Sequence, residues 1–197
     1  MEELMRISCP GFARVRDADG KYAILLNEGL YRRGFGRILS PIGGALEFYP
    51  SARLAETFGA SHFEQGNDLR FRVDDTRVND VVAWFLRRSD RETSSLREFR
   101  EELVDVGVLK PSHMKGIQER FVRYIRYDTV TRRNVPEKET AYLIEVFDVT
   151  ISEAALETLH EAAAYTDPYV YFAREDEIRR GAMDDGTVIG EITQKML

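Results

Sequence analysis

The sequence predicts an α/β fold of the α+β kind, in which β-strands and helices share the chain. Three observations carry that expectation. Gln118 to Tyr127 alternates along its length, and Thr140 to Val149 is strongly β-prone and apolar, as paired strands require. Val78, Val81, Val82, Phe85 and Leu86, and later Leu156 and Leu159, recur at helical spacing instead. Between these stretches, a helix would place Leu96, Phe99, Leu103 and Val106 on one face and Glu98, Glu101 and Glu102 on another. At 197 residues the chain is long enough for one domain, residues 1–197, with a full core.

The net charge of −6 argues against a protein that grips a nucleic-acid duplex, because a phosphate backbone demands a basic footprint. A nucleotide-type small molecule stays open as a ligand. The single cysteine, Cys9, rules out an internal disulfide and a cysteine cluster for zinc, so a reducing, cytoplasmic setting is expected. Met1-Glu2-Glu3-Leu4-Met5 lacks the basic start of a signal peptide. No apolar run approaches a membrane span, so no membrane partner is expected.

In chain order, Ala13 to Arg16 reads as a strand, Asp17-Ala18-Asp19-Gly20 as a turn, and Lys21 to Asn27 as a buried strand paired back on the first. Glu28 to Arg37, punctuated by glycines, reads as a loop. Its Arg32, Arg33 and Arg37 either grip a phosphorylated substrate or stand solvated. In Ile38 to Glu47, Pro41 favours extended backbone and Gly43-Gly44 permit close approach without a Cβ in the way; a plain turn is the alternative. Phe48 to Arg88 is too long for a structureless loop. It reads as a short helix over Ser51 to Phe58, a strand over Leu69 to Val73 and a helix over Asp75 to Arg88.

Ser89 and Glu92 have the spacing of a capping box, which predicts that the acidic helix starts near Asp90, and Gly107 suits its left-handed end. The two long strands that follow are joined by a polar turn near Thr131-Arg132-Arg133-Asn134. Ser152 then caps a helix to Ala164 and Tyr169 to Ala173 forms a last strand. Glu175 opens a further helix with acid at its positive end, and Thr187 to Leu197 closes the chain as another.

The acidic helix carries the chemistry. Carboxylates at i, i+3 and i+4 repel one another, and of the three only Glu101 has a basic residue, Arg97, at helical reach. A hard divalent cation, Mg²⁺ or Mn²⁺, would neutralise them. Mg²⁺ shares oxygen ligands with substrate phosphates, so a phosphate ester or pyrophosphate is the expected substrate; a solvated acidic face is the alternative. Tyr124 and Tyr142, on the two long strands, either stack on a base or fill the core. His62, His113 and His160 suggest no ligand set.

The order arginine-glutamate-apolar-any-glutamate-glutamate from Arg97 to Glu102 resembles the core of the Nudix hydrolase box. Strand, loop, strand and the Pro41-x-Gly43-Gly44 stretch precede it in the Nudix order. Within that superfamily the chain resembles the Nudix domains found beside cyclic-oligonucleotide synthases in bacterial antiviral operons. The resemblance implies an α/β/α sandwich with a mixed sheet, interrupted by an insertion at about 48–88 that serves as a lid, a homodimer surface or extra packing. It also implies hydrolysis of a nucleoside diphosphate linked to another moiety, in the class of ADP-ribose, nucleotide sugars, dinucleotides or nucleoside triphosphates.

On the same resemblance Glu98, Glu101, Glu102 and a carbonyl of Gly44 would hold Mg²⁺ or Mn²⁺, with Arg97 orienting the glutamates. Glu47 matches the glutamate that ends the glycine stretch, and Glu175 or Glu177 would be the base. Two departures stand out. The family's upstream glycine and glutamate would fall at Ala83 and Ser89, and its later glycine at Val104. An altered box leaves a second reading open, a catalytically weak or inactive domain that senses a nucleotide or binds a protein partner.

Overall fold

Strands and helices alternate along the chain, which the computed structural model describes over residues 4–131 and 138–197. Strands β1 (Leu4–Ser8), β2 (Pro10–Arg14) and β3 (Tyr22–Leu26) precede a short helix α1 (Glu28–Arg32) and strand β4 (Ile38–Ala45). Helix α2 (Leu54–Phe58), strand β5 (Arg70–Asp74), helix α3 (Val78–Leu86) and the acidic helix α4 (Leu96–Leu103) follow. The long strands β6 (Gln118–Thr131) and β7 (Lys138–Thr150) lead to α5 (Glu153–Ala163), β8 (Val170–Ala173), α6 (Glu175–Arg180) and β9 (Val188–Ile189). The chain divides into two compact units. The first comprises Met1–Gly11, Gly44–Ser95 and Arg123–Glu145; the second comprises Phe12–Gly43, Leu96–Val122 and Val146–Leu197.

In the first unit β1 runs antiparallel to β5, with Ile7 opposite Phe71, and parallel to β7, with Ile7 opposite Ala141. This is a mixed sheet. The alternation read in Leu69 to Val73 puts Phe71 and Val73 into a core with Ile7, Leu69 and Leu143. Helix α3 covers that core with Val78, Val81, Trp84 and Phe85, and the Trp84 ring lies 6.0 Å from Phe58 of α2. Leu86, expected on the same face, is exposed, because the buried stripe turns towards Trp84. The helix expected over Ser51 to Phe58 is split: Pro50–Ala52 is a 3₁₀ turn, Arg53 takes a left-handed φ of 46°, and α2 begins after it.

In the second unit β3 pairs antiparallel with β4 (Ile24 opposite Pro41) and with β8 (Leu25 opposite Val170). Strand β9 pairs parallel with β4 (Leu39 opposite Ile189), so this ladder too is mixed. The hairpin expected between β2 and β3 is corrected here. Arg16 and Tyr22 form a bridge at the turn, but β4 lies between β2 and β3 in the strand order. Leu39, Pro41, Ile42 and Ala45 are all buried, which lets β4 serve as an interior strand rather than the turn its glycines suggest. Phe99 and Leu103 of α4 share a core with Leu25, Ile42, Phe147, Leu159 and Val170.

The segment after Asn27 is a helix, not a loop. The Asn27 Oδ1 accepts the Leu30 N–H at 3.0 Å, and Glu28 pairs with Arg32 one turn on. Ser152 caps α5 as expected, its Oγ accepting the Ala155 N–H at 3.3 Å. Thr187 to Leu197 resolves into β9 and a 3₁₀ segment, Glu191–Met196, rather than one helix. Strand β1 has no counterpart among the sequence expectations. The turn expected near Thr131-Arg132-Arg133-Asn134 falls, apart from Thr131 at the end of β6, outside the described residues.

Candidate functional site

The approach to the acidic helix is fixed in the first unit. Arg88 and Asp90 hold left-handed backbones, φ 54° and 60°, which end any helix at that point. The Glu92 N–H donates to Glu47 O at 2.8 Å, and the Glu92 Oε2 accepts the Glu47 N–H at 3.2 Å. Ser89-x-x-Glu92 therefore joins two stretches of backbone instead of capping a helix, and α4 starts at Leu96. The buried Arg91 guanidinium donates to Phe85 O at 2.7 Å and to Glu145 Oε1 at 2.7 Å, with its carbon 3.7 Å from the centre of the Phe85 ring. Arg88 meets the same Glu145 oxygen at 2.9 Å.

In the second unit α4 buries Phe99, Leu103 and also Glu98, and its acids are held in two ways. The Arg97 Nη1 lies 2.9 Å from Glu98 and 3.0 Å from Glu101. Glu102 is held differently: its Oε2 accepts the backbone N–H of Gly43 at 2.6 Å. Gly43 has φ 140°, a backbone conformation that disfavours any side chain. The glycine stretch and the acidic helix thus meet, through Gly43. Val106, expected on the apolar face, is exposed because α4 ends at Leu103 and a turn carries the chain to Gly107 at φ 84°.

Two further groups join this region without having been expected. Burial, and then the charges of Glu102 and Glu28, push the Tyr169 phenol above its ordinary range. Tyr169 therefore stays protonated under the field of two carboxylates from distant parts of the chain. The Leu26 N–H donates to Tyr169 O at 2.8 Å, which anchors this tyrosine beside the start of α1. Sequence reasoning missed Glu28 because its stretch reads as a loop; the Asn27 cap and the Glu28 to Arg32 spacing could have flagged it.

The other expected site residues are placed as follows. Gly44 follows Gly43 on β4 and, with Glu47, belongs to the first unit. Arg32 pairs with Glu28, Arg33 Nε donates to Gly29 O at 2.8 Å, and Arg37 binds Asp167, the Tyr171 hydroxyl and Pro168 O. Tyr124 packs on Phe85 at 5.9 Å with its hydroxyl buried and unpartnered among the described residues, and burial pushes its pKa up to about 12. The ring is partly buried against the core of the first unit. Tyr142 stacks on Tyr127 at 6.2 Å.

Glu175 pairs with Arg179 at 2.6 Å. Buried Glu177 accepts the Arg174 N–H at 2.8 Å on Oε2 and the Asp184 N–H at 2.9 Å on Oε1. Both its oxygens are spent on closing the ends of a turn, a structural duty rather than that of a base. His160 stacks on Phe172 at 4.0 Å and lies 3.7 Å from Asp17.

Among the described residues no group of three or more His, Cys, Asp or Glu side chains stands in position to hold a metal. Arg97 and the Gly43 N–H draw the acids apart. The donor set itself, three carboxylates on one helical turn, fits a hard divalent cation in chemistry, although Glu98 and Glu101 are here paired with Arg97.

A family model described as the SMODS-associated NUDIX domain matches residues 4–197. The chain belongs to that family. The acidic helix α4 is where this Nudix domain carries the residues that resemble the Nudix box, and β4 carries the preceding glycine stretch. Comparisons with curated proteins and with solved structures gave no match to this Nudix domain. Among the described residues no helix is long and apolar enough to cross a membrane.

Proposed function

We propose that this Nudix domain is a metal-dependent pyrophosphohydrolase, cleaving the diphosphate of a nucleoside diphosphate linked to a second group, in the service of antiviral defence. The Gly43 N–H bond to Glu102 supports this reading most directly, because it draws the glycine strand onto the acidic helix within one unit. In this reading Glu98, Glu101 and Glu102 hold Mg²⁺ or Mn²⁺. The ion, when bound, neutralises charge on the phosphoryl oxygens and acidifies water. The chain supplies the rest. Gly43 fixes the direction of Glu102, Arg97 holds Glu98 and Glu101 against mutual repulsion while no ion is bound, the Tyr169 phenol stays protonated under the charge of Glu102, and a helix carboxylate takes the proton of the attacking water.

The test is product release from ADP-ribose, a dinucleoside polyphosphate, a nucleotide sugar and a nucleoside triphosphate, with and without Mg²⁺. Metal-dependent product from at least one, lost in Glu101→Gln and Glu102→Gln, is the expected result. A second reading has its own support: Arg97 already neutralises Glu98 and Glu101, as suits a domain that senses a nucleotide without cleaving it. A rise in melting temperature with nucleotide and no product would favour the sensor. A cytoplasmic homodimer, joined through the 48–88 segment, completes the proposal.

A further inference from the structure

Most of the large apolar side chains described are buried, yet Tyr31 is 46% and Phe35 is 58% exposed on the arm from Glu28 to Arg37. The arm is ordered. Its helix is capped by Asn27, the Arg33 side chain folds back onto Gly29 O, and the Phe35 N–H donates to Leu30 O at 3.2 Å. Each exposed ring is flanked by an arginine: Arg33 lies 5.8 Å from the centre of Phe35 and Arg37 5.9 Å from that of Tyr31. Arg37 is itself a fixed plate, donating to the Tyr171 hydroxyl and to Pro168 O at 2.8 Å and lying 5.8 Å from the Tyr171 ring. The root of the arm, Glu28, acts on the same Tyr169 phenol as Glu102.

Flat rings alternating with guanidinium planes are what a nucleobase stacks on, and Arg33, beside the Glu28-paired Arg32 and the Asp167-paired Arg37, complements an attached phosphate. We propose that this arm binds the base of a nucleotide, stacked on Tyr31 and Phe35 with its phosphate towards the arginines. The proposal rests on the hydrolase reading for the identity of the ligand as a nucleotide, and it deepens that reading by naming the group recognised.

The experiment titrates the full chain with AMP and with ribose 5-phosphate, which differ by the base alone, using calorimetry in the presence of Mg²⁺. Wild type is expected to bind AMP about tenfold more tightly, the worth of one good stacking contact. The double substitution Tyr31→Ala, Phe35→Ala should erase that preference, leave ribose 5-phosphate binding unchanged and melt as wild type does, since both rings are exposed. Tyr31→Phe with Phe35→Tyr should restore it. No preference in wild type, or a preference that survives the double substitution, overturns the assignment. A change in sedimentation of the double variant with no change in AMP binding also overturns it, in favour of a contact with a second copy. If wild type releases product but shows no preference, the arm falls and the hydrolase stands. If the preference depends on the rings but no diphosphate is cleaved, the hydrolase falls and the arm stands.

Discussion

Arg91 and Arg97 both hold glutamates, yet they do opposite things. Arg91 is fully buried in the first unit against a Glu145 that is 2% exposed, with carbonyls and an aromatic ring completing its shell. Arg97, in the second unit, is 25% exposed and its partner Glu101 is 49% exposed. Water makes the difference. A buried pair that loses one partner strands a charge in low dielectric, whereas an exposed pair is nearly free to exchange its partner for an ion. The same chemistry therefore pins the backbone in one place and leaves ligands available in the other.

Removing Arg91 is the largest expected effect. Arg91→Ala should lower the unfolding free energy by about 3–5 kcal/mol in chemical denaturation, because Glu145 would then be buried with weakened compensation. A loss under about 1 kcal/mol would erase the contrast with Arg97. Next comes Glu102→Gln, whose amide oxygen still accepts the Gly43 N–H while the charge is gone. Turnover should fall on the order of a hundredfold with the melting temperature little changed, the pattern of a site residue rather than a strut.

Arg97→Ala sharpens the contrast from the other side. It should cost less stability than Arg91→Ala, because Glu101 is exposed even though Glu98 is buried, while Mn²⁺ binding measured by calorimetry tightens because Glu98 and Glu101 are released. Weaker Mn²⁺ binding would assign Arg97 to holding the acids in place.

The smallest effect concerns Tyr124, whose hydroxyl is buried and unpartnered among the described residues. Tyr124→Phe should stabilise by about 1 kcal/mol. Its alkaline behaviour has a definite sign. Burial raises the native pKa from 10.0 to about 12, so the native state favours the neutral phenol. That contribution is whole below pH 10 and is lost as pH rises towards 12. Melting curves across this window should fall less steeply for Tyr124→Phe than for wild type.

How much of this was legible depends on whether the cause is local. Strand β5, the α3 stripe and the Ser152 cap follow from periodicity and a single hydrogen bond, so neighbouring residues announce them. Helix α1 was obscured by Gly29, Gly34 and Gly36, although Asn27 and the Glu28 to Arg32 spacing were there to be read. The true start of α4 was not readable from Ser89 and Glu92, because Arg91 is held by Glu145 from another part of the chain. At the site, the acidic turn and the glycine stretch were visible as patterns. The Gly43 bond to Glu102, and the approach of Tyr169 and Glu28, arise from strand order and side-chain packing that no local spacing encodes.

Trp84 is the one tryptophan in the sequence, and it is buried in the first unit beside Phe58. Indole emission is accordingly a reporter of that unit's core. The Arg91 guanidinium donates to the carbonyl of Phe85, the residue next to Trp84, so fluorescence will follow its loss at first hand.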